Sequence, residues 1–155
     1  MRNSFRLLCL SKIVKQSTFT LAILFPLLGA ISLAAVANLD PEQIKSSATT
    51  RLEEIIQGIS EGDFTLYSSH FSRAMKEAQT RESFLNLQRR LQKAVGKFQS
   101  LQYIGFYRRS GNLVTLFKAR FSKEKDDVLI TLVLERSGPD PKVTGLWFDS
   151  PALEQ

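Results

Sequence analysis

The sequence predicts an α+β domain in which N-terminal helices pack on a curved, four-stranded antiparallel sheet. Three observations predict it. Apolar residues recur at three- and four-residue spacing from Ile44 to Ile59 and again from Phe84 to Val95, the period of one helix face. After Gly96 that period gives way to runs rich in β-branched and aromatic residues. The runs follow one another across short polar breaks, so helices come first and a meander second, unlike the alternation of a parallel βαβ design.

The first helix opens at Asp40-Pro41, an N-cap residue followed by proline at the first helical position, where its missing N–H is harmless. Ile44, Ala48, Leu52, Ile55, Ile56 and Ile59 form its apolar stripe, which ends at Glu61-Gly62. Asp63 restarts the chain, and Phe64, Phe71, Met75 and Ala78 predict two short helices with a break near Ser72. Thr80 caps a longer helix whose buried face is Phe84, Leu87, Leu91, Ala94 and Val95, with Gly96 as its stop.

Four strands follow, FQSLQYIGFYRR, NLVTLFKARFS, DVLITLVLER and KVTGLWFDS, separated by Ser110-Gly111, Lys123 to Asp126 and SGPDP. A two-residue turn at Ser110-Gly111 pairs Arg109 with Asn112. Strict alternation then places Leu101, Tyr103 and Tyr107 on one face with Val114, Leu116, Lys118 and Arg120, joined by Leu129 and Val133. The opposite face carries Ile104, Phe106, Thr115, Phe117, Ala119 and Phe121, and the helices are expected to cover it. An uncovered apolar face of the first kind suggests a partner surface.

Residues 1–37 read as an address. Arg2, Arg6, Lys12 and Lys15 precede the uncharged run Leu21 to Ala37, LAILFPLLGAISLAAVA, and no acidic residue occurs before Asp40. This is the layout of a secretory signal, and Ala35-Val36-Ala37 is the small-residue pattern that a signal peptidase accepts. Cleavage before Asn38 leaves residues 38–155 as one domain, periplasmic or secreted. The alternative is an uncleaved anchor over residues 21–37, at the short end of membrane-spanning length.

The 155 residues carry 21 Lys and Arg against 15 Asp and Glu, a net charge of +6. Removal of the four N-terminal cations brings +6 to +2, which takes away the compositional case for nucleic-acid binding. One Cys and one His exclude an internal disulfide framework and the usual Cys/His zinc ligation. No phosphate-binding, zinc-protease or nucleophile-elbow motif occurs, so no cofactor is implied.

The Gly62-Asp63 step, Phe71-Ser72 followed by Met75, the amphipathic helix ending Val95-Gly96-Lys97-Phe98, and the closing Gly145-Leu146 carry a family likeness. With the helices-then-sheet order, they resemble the cystatin-like cone of the nuclear transport factor 2-like superfamily. Arg51 to Leu153 is similar to an uncharacterised, exported bacterial family within it. The resemblance implies a cone-shaped fold and no particular activity, since that fold hosts enzymes, binding modules and dimerisation domains.

Candidate chemistry is sparse. His70, the one imidazole, is a general base only if a carboxylate orients it, and nothing at fixed spacing supplies one. Tyr67, Tyr103, Tyr107, Trp147 and Asp149 are the groups available to line a cavity. Trp147 and Asp149 share a strand face, giving a pocket wall with one carboxylate. Resemblance to isomerases of the superfamily implies an acidic base facing a hydroxyl, for which Asp149, Tyr67 and His70 are the candidates. The plainer reading makes Trp147 a core residue and Asp149 the start of a turn before Pro151. Arg89, Arg90, Lys93 and Lys97 form a basic stripe suited to an anionic partner, or simply a solvated face. Glu124, Asp126 and Asp127 lack the spacing of a selective calcium loop.

The reading these observations favour is a non-enzymatic exported module that binds a small apolar ligand or a protein, as a homodimer through its sheet. The alternative is a small isomerase- or dehydratase-like enzyme acting on an apolar substrate. Membrane contact enters only through an uncleaved N-terminal segment.

Overall fold

The computed structural model describes residues 40–135 and 140–154. The signal expected over residues 1–37 lies outside them. Helix α1 (Pro41–Glu61) starts where Asp40 and Pro41 predict, although the Asp40 side chain makes no capping hydrogen bond. Its stripe from Ile44 to Ile59 is buried, and Gly62 ends it at φ +75°, where a side chain would be strained.

Helices α2 (Phe64–Ser68) and α3 (Arg73–Ala78) flank the expected break. The Asp63 carboxylate accepts from the Thr65 and Leu66 amides at 2.8 and 3.1 Å, and the Ser72 hydroxyl accepts from the Met75 amide at 3.2 Å. Helix α4 (Arg81–Ala94) is capped by Thr80, which accepts from the Ser83 amide at 3.1 Å. Beyond its end, the Gly96 amide donates to the Leu91 carbonyl at 3.0 Å.

Strands β1 (Phe98–Arg109), β2 (Asn112–Phe121), β3 (Val128–Glu135) and β4 (Val143–Asp149) form one antiparallel sheet in the order β1-β2-β3-β4. Ser110 and Gly111 both have positive φ, +50° and +82°, as a two-residue turn requires, and Arg109 lies opposite Asn112. The fold class is therefore the α+β arrangement that the order of elements predicts.

One face of the sheet, here called inner, carries Leu113, Thr115, Phe117, Ala119 and Phe121 of β2 with Val128, Ile130, Leu132 and Leu134 of β3. All are buried in the core they form with α1, Tyr67, Phe71, Phe84 and Leu91. Thr115 meets the demands of burial by donating its hydroxyl to the Leu132 carbonyl at 2.8 Å. Tyr67 stacks edge-on against Phe71 with ring centroids 4.8 Å apart, and tilted against Phe84 at the same distance. This core closes among the described residues.

Strict alternation fails in β1. Tyr103 lies opposite Phe117 and Gly105 opposite Leu116, so Ile104 is an extra residue in a bulge. The bulge returns Tyr103 and Leu101 to the inner face and turns Ile104 outward, reversing the expected side for these three residues. Tyr107, beyond the bulge, stays on the outer face opposite Val114.

At the far edge, Phe71 bridges Val143 in parallel, and the Ser72 and Val143 amides donate to the Val143 and His70 carbonyls, each at 2.8 Å. The α2–α3 junction thus covers one end of the exposed edge of β4. Helix α4 is covered less completely than its sequence predicts. Phe84, Leu91 and Val95 are buried, but Leu87 and Ala94 are only half-buried. Space remains between this helix and the sheet.

Candidate functional site

The outer face of the sheet is built by register. Successive cross-strand rows read Tyr107, Val114, Val133, Gly145; then Gly105, Leu116, Thr131, Trp147; then Gln102, Lys118, Leu129, Asp149. Ile104 joins the second row because both bulge residues face outward there. Ile104, Tyr107 and Trp147 are 53%, 46% and 57% exposed, and Leu129 is exposed beside them. The Trp147 ring folds back over Gly145, where an added Cβ would lie 2.3 Å from the ring. Trp147 is thus a surface residue and not a core one.

Asp127 closes one margin of this face, bridging Lys118 at 3.3 Å and Arg120 at 3.2 Å. Glu124 is engaged elsewhere, accepting from the Ser150 hydroxyl at 2.6 Å and from the Lys125 amide at 2.9 Å. The Ser150 bond, chiefly, holds its carboxyl below the ordinary carboxylate range. These two acids serve ion pairs and a loop-to-terminus tie.

On the helix side, two open clefts share Leu91 and Phe148 as a common wall. The larger, of about 700 Å³, runs from Tyr67 and Met75 past Leu87, Arg90 and Leu153 and around β4 to Trp147 and Asp149 on the outer face. The smaller, of about 350 Å³, lies between α1, α4 and the strand ends. Ile56, Ile59, Leu91, Phe98, Phe121 and Phe148 form its walls, and Ser60, Gln88, Gln92 and Lys97 are its polar members.

Tyr67 is 2% exposed, and burial pushes its phenol up to about 12, so it stays protonated at any physiological pH. Tyr67 and Asp149 border the same cleft, a neutral donor and a carboxylate among polar side chains such as Gln79, Ser83, Asn86 and Arg90. Asp149 sits on the outer, solvent-exposed register of β4, opposite Leu129. Among the described residues, no hydrogen bond links Tyr67, His70 and Asp149 to one another.

Tyr103 lies apart from Tyr107 and Trp147. Its ring packs edge-on to Phe117 at 5.3 Å on the inner face. Its hydroxyl is buried without a hydrogen-bond partner, and burial first, then the negative charge of Glu42, pushes its pKa above the ordinary tyrosine value. Of the residues expected to line a cavity, Tyr103 is thus parted from Tyr107 and Trp147 by the Ile104 bulge.

His70 has the carboxylate that its neighbours in sequence do not supply. Glu54 on α1 places Oε2 2.6 Å from His70 Nε2. Beside it, Arg51 donates to Asp140 at 2.6 Å and to the Ser47 carbonyl at 2.9 Å. The pairs tie α1 to the α2–α3 junction and to the start of β4, and His70 lies outside both clefts. Sixteen residues separate Glu54 from His70, a distance at which sequence carries no pairing signal.

Of the basic stripe, Arg90 reaches the Leu153 carbonyl at 3.2 Å, Arg89 is held by Asn86, and Lys93 borders a shallow recess with Ala152 and Leu153. Lys97 stands apart at the small cleft, its amide donating to the Ser122 hydroxyl at 2.9 Å. Lys123 adds a further cation, its ammonium donating to the Gln92 carbonyl at 3.1 Å at the end of α4. Among the described residues, no helix is long and apolar enough to cross a membrane, and no cluster of three or more His, Cys, Asp or Glu is placed to hold a metal ion.

No family model matches the chain, and no similar protein is found among curated ones. A solved structure from Bdellovibrio bacteriovorus, that of Bd1075, is similar at 16% identity and a TM-score of 0.42, over 73% of this chain. The match spans 44% of the Bd1075 chain.

Proposed function

We propose that this chain is an exported, non-enzymatic binding module of the nuclear transport factor 2-like class, which acts through the outer face of its sheet, with a second copy of itself as partner. The observation that carries the reading is the outer face itself. Ile104, Tyr107, Leu129 and Trp147 stand exposed around Val114, Leu116 and Val133 on the side of the sheet that, among the described residues, no helix covers.

A second copy is the partner that presents the same apolar rows, and a two-fold stack of such faces needs no other complementary surface. Four strands about 4.8 Å apart and some six residues of each give a planar footprint of roughly 400 Å². Side-chain relief raises that towards the low end of a specific interface, so the association is reversible and of roughly micromolar strength.

The basic-then-apolar N-terminus ending in Ala35-Val36-Ala37 supports export. The helices-then-meander order supports the superfamily assignment. The test of function is self-association of the domain from Asn38 onward, measured by sedimentation over a concentration range. Replacing Ile104 and Trp147 by lysine abolishes it while circular dichroism stays unchanged.

A further inference from the structure

We infer that the smaller cleft binds a single-chain amphiphilic carboxylate, with the chain between α1 and α4 and the head group at Lys97. The cleft lies on the helix side of the molecule, so the inference stands apart from the outer-face reading.

The cleft has the grading that such a ligand requires. Ile56, Ile59, Leu91 and Phe121 are buried and form its depth, with half-buried Phe98 and Phe148 between depth and mouth. Ser60, Gln92 and Lys97 are exposed and form the rim. No acidic side chain lines it. Lys123, bonded to the Gln92 carbonyl, adds a second positive charge beside the mouth. A compact apolar ligand satisfies the walls, and an anionic head satisfies the rim; a cationic or polyhydroxy ligand satisfies neither.

Size narrows the class further. A volume of about 350 Å³ is at the lower end of small-molecule pockets. At about 30 Å³ per heavy atom it admits roughly ten to twelve, the length of a medium-chain fatty acid and well short of a two-chain lipid. Gln88 contributes a fixed acceptor: its amide nitrogen donates to the Ile59 carbonyl at 2.7 Å, which holds the side chain in place across the gap between α4 and α1.

The test is calorimetric titration of the domain from Asn38 onward with decanoate below its critical micelle concentration, and separately with decanol below its solubility limit. Decanoate binds saturably at one site per chain. Lys97→Gln weakens it by up to about five-fold, the scale of one lost exposed charge pair, and leaves decanol unchanged. Gln92→Trp, an exposed rim position, blocks both probes by filling the mouth, with circular dichroism reporting an intact fold. Absence of saturable binding of either probe overturns the site. Decanoate binding that Gln92→Trp leaves intact places the ligand elsewhere and overturns it too. Equal effects of Lys97→Gln on both probes overturn the carboxylate assignment. Because Ile104 and Trp147 take no part at this cleft, loss of self-association in their lysine variants with decanoate binding retained separates the two readings.

Discussion

Gly58 sits within α1, where intrinsic preference favours alanine by about 1 kcal/mol. Packing reverses the sign. An added Cβ would meet the Tyr67 backbone nitrogen at 2.5 Å and the Asp63 carbonyl at 2.9 Å, and backbone cannot swing aside as a side-chain tip can. Gly58→Ala is therefore expected to destabilise the domain by about 1–3 kcal/mol, read from chemical denaturation. Tyr67, the residue that Gly58 admits, sets an alkaline limit. Its phenol ionises near 10 in the unfolded chain and at about 12 in the fold. Its contribution is complete below pH 10 and is lost as pH rises from there towards 12, because only the unfolded state can then release the proton. Tyr67→Phe should extend stability upward across that window, followed by thermal melts at successive pH values. An unchanged alkaline profile would mean that another group sets the limit.

Elements fall where local chemistry places them, and faces do not always follow. Pro41, Gly62, Ser72, Thr80, Gly96 and Ser110-Gly111 each carry a backbone or capping requirement within a few residues, and each boundary lies at or next to them. The Ile104 bulge depends on how β1 pairs with β2, a non-local demand with no marker except Gly105 beside it. That one inserted residue moves Leu101 and Tyr103 inward and Ile104 outward. Pairing of Glu54 with His70 was illegible for a similar reason, since α1 must first pack against the α2–α3 junction. Incomplete cover of α4 was equally hidden, because a helical pattern states which face is apolar and not what meets it. The short 3₁₀ turn Pro151–Leu153 illustrates an element held by one long-range tie: the Ser150 hydroxyl donates to Glu124 and accepts from the Ala152 amide. Glu124 is held ionised below the usual carboxylate range, so the tie is intact above that range and is lost as pH falls through the lowered value. Ser150→Ala should lower the hydrogen-exchange protection factors of the Ala152 and Leu153 amides at neutral pH, and acid should lower them in the wild-type protein, each rate being taken relative to the intrinsic rate at that pH. Exchange that ignores both would show that Arg90 and packing alone hold the turn.

Residues 40–154, where described, form a sheet with one face built into a core and the other apolar. The four helices of the described residues cover the inner face, and α4 does so incompletely, which leaves clefts on that side. Among the described residues, no element covers the outer face. Apolar surface of that kind gains about 25 cal/mol for each Å² removed from water, which drives association once orientation is fixed. The same reasoning separates the residues by their roles. Trp147 at 57% exposure and Ile104 at 53% hold little of the fold together, so their loss should be silent in the monomer's stability and visible in its association. Core residues such as Leu52 and Phe117, fully buried, behave the opposite way.

Sedimentation equilibrium of the domain from Asn38 onward, with and without Ile104→Lys and Trp147→Lys, tests the outer-face reading most directly. A reversible monomer–dimer equilibrium is expected for the wild-type protein and a monomer for the double variant, with both equally folded. A wild-type monomer at every concentration, or a dimer that the two lysines leave intact, would contradict it.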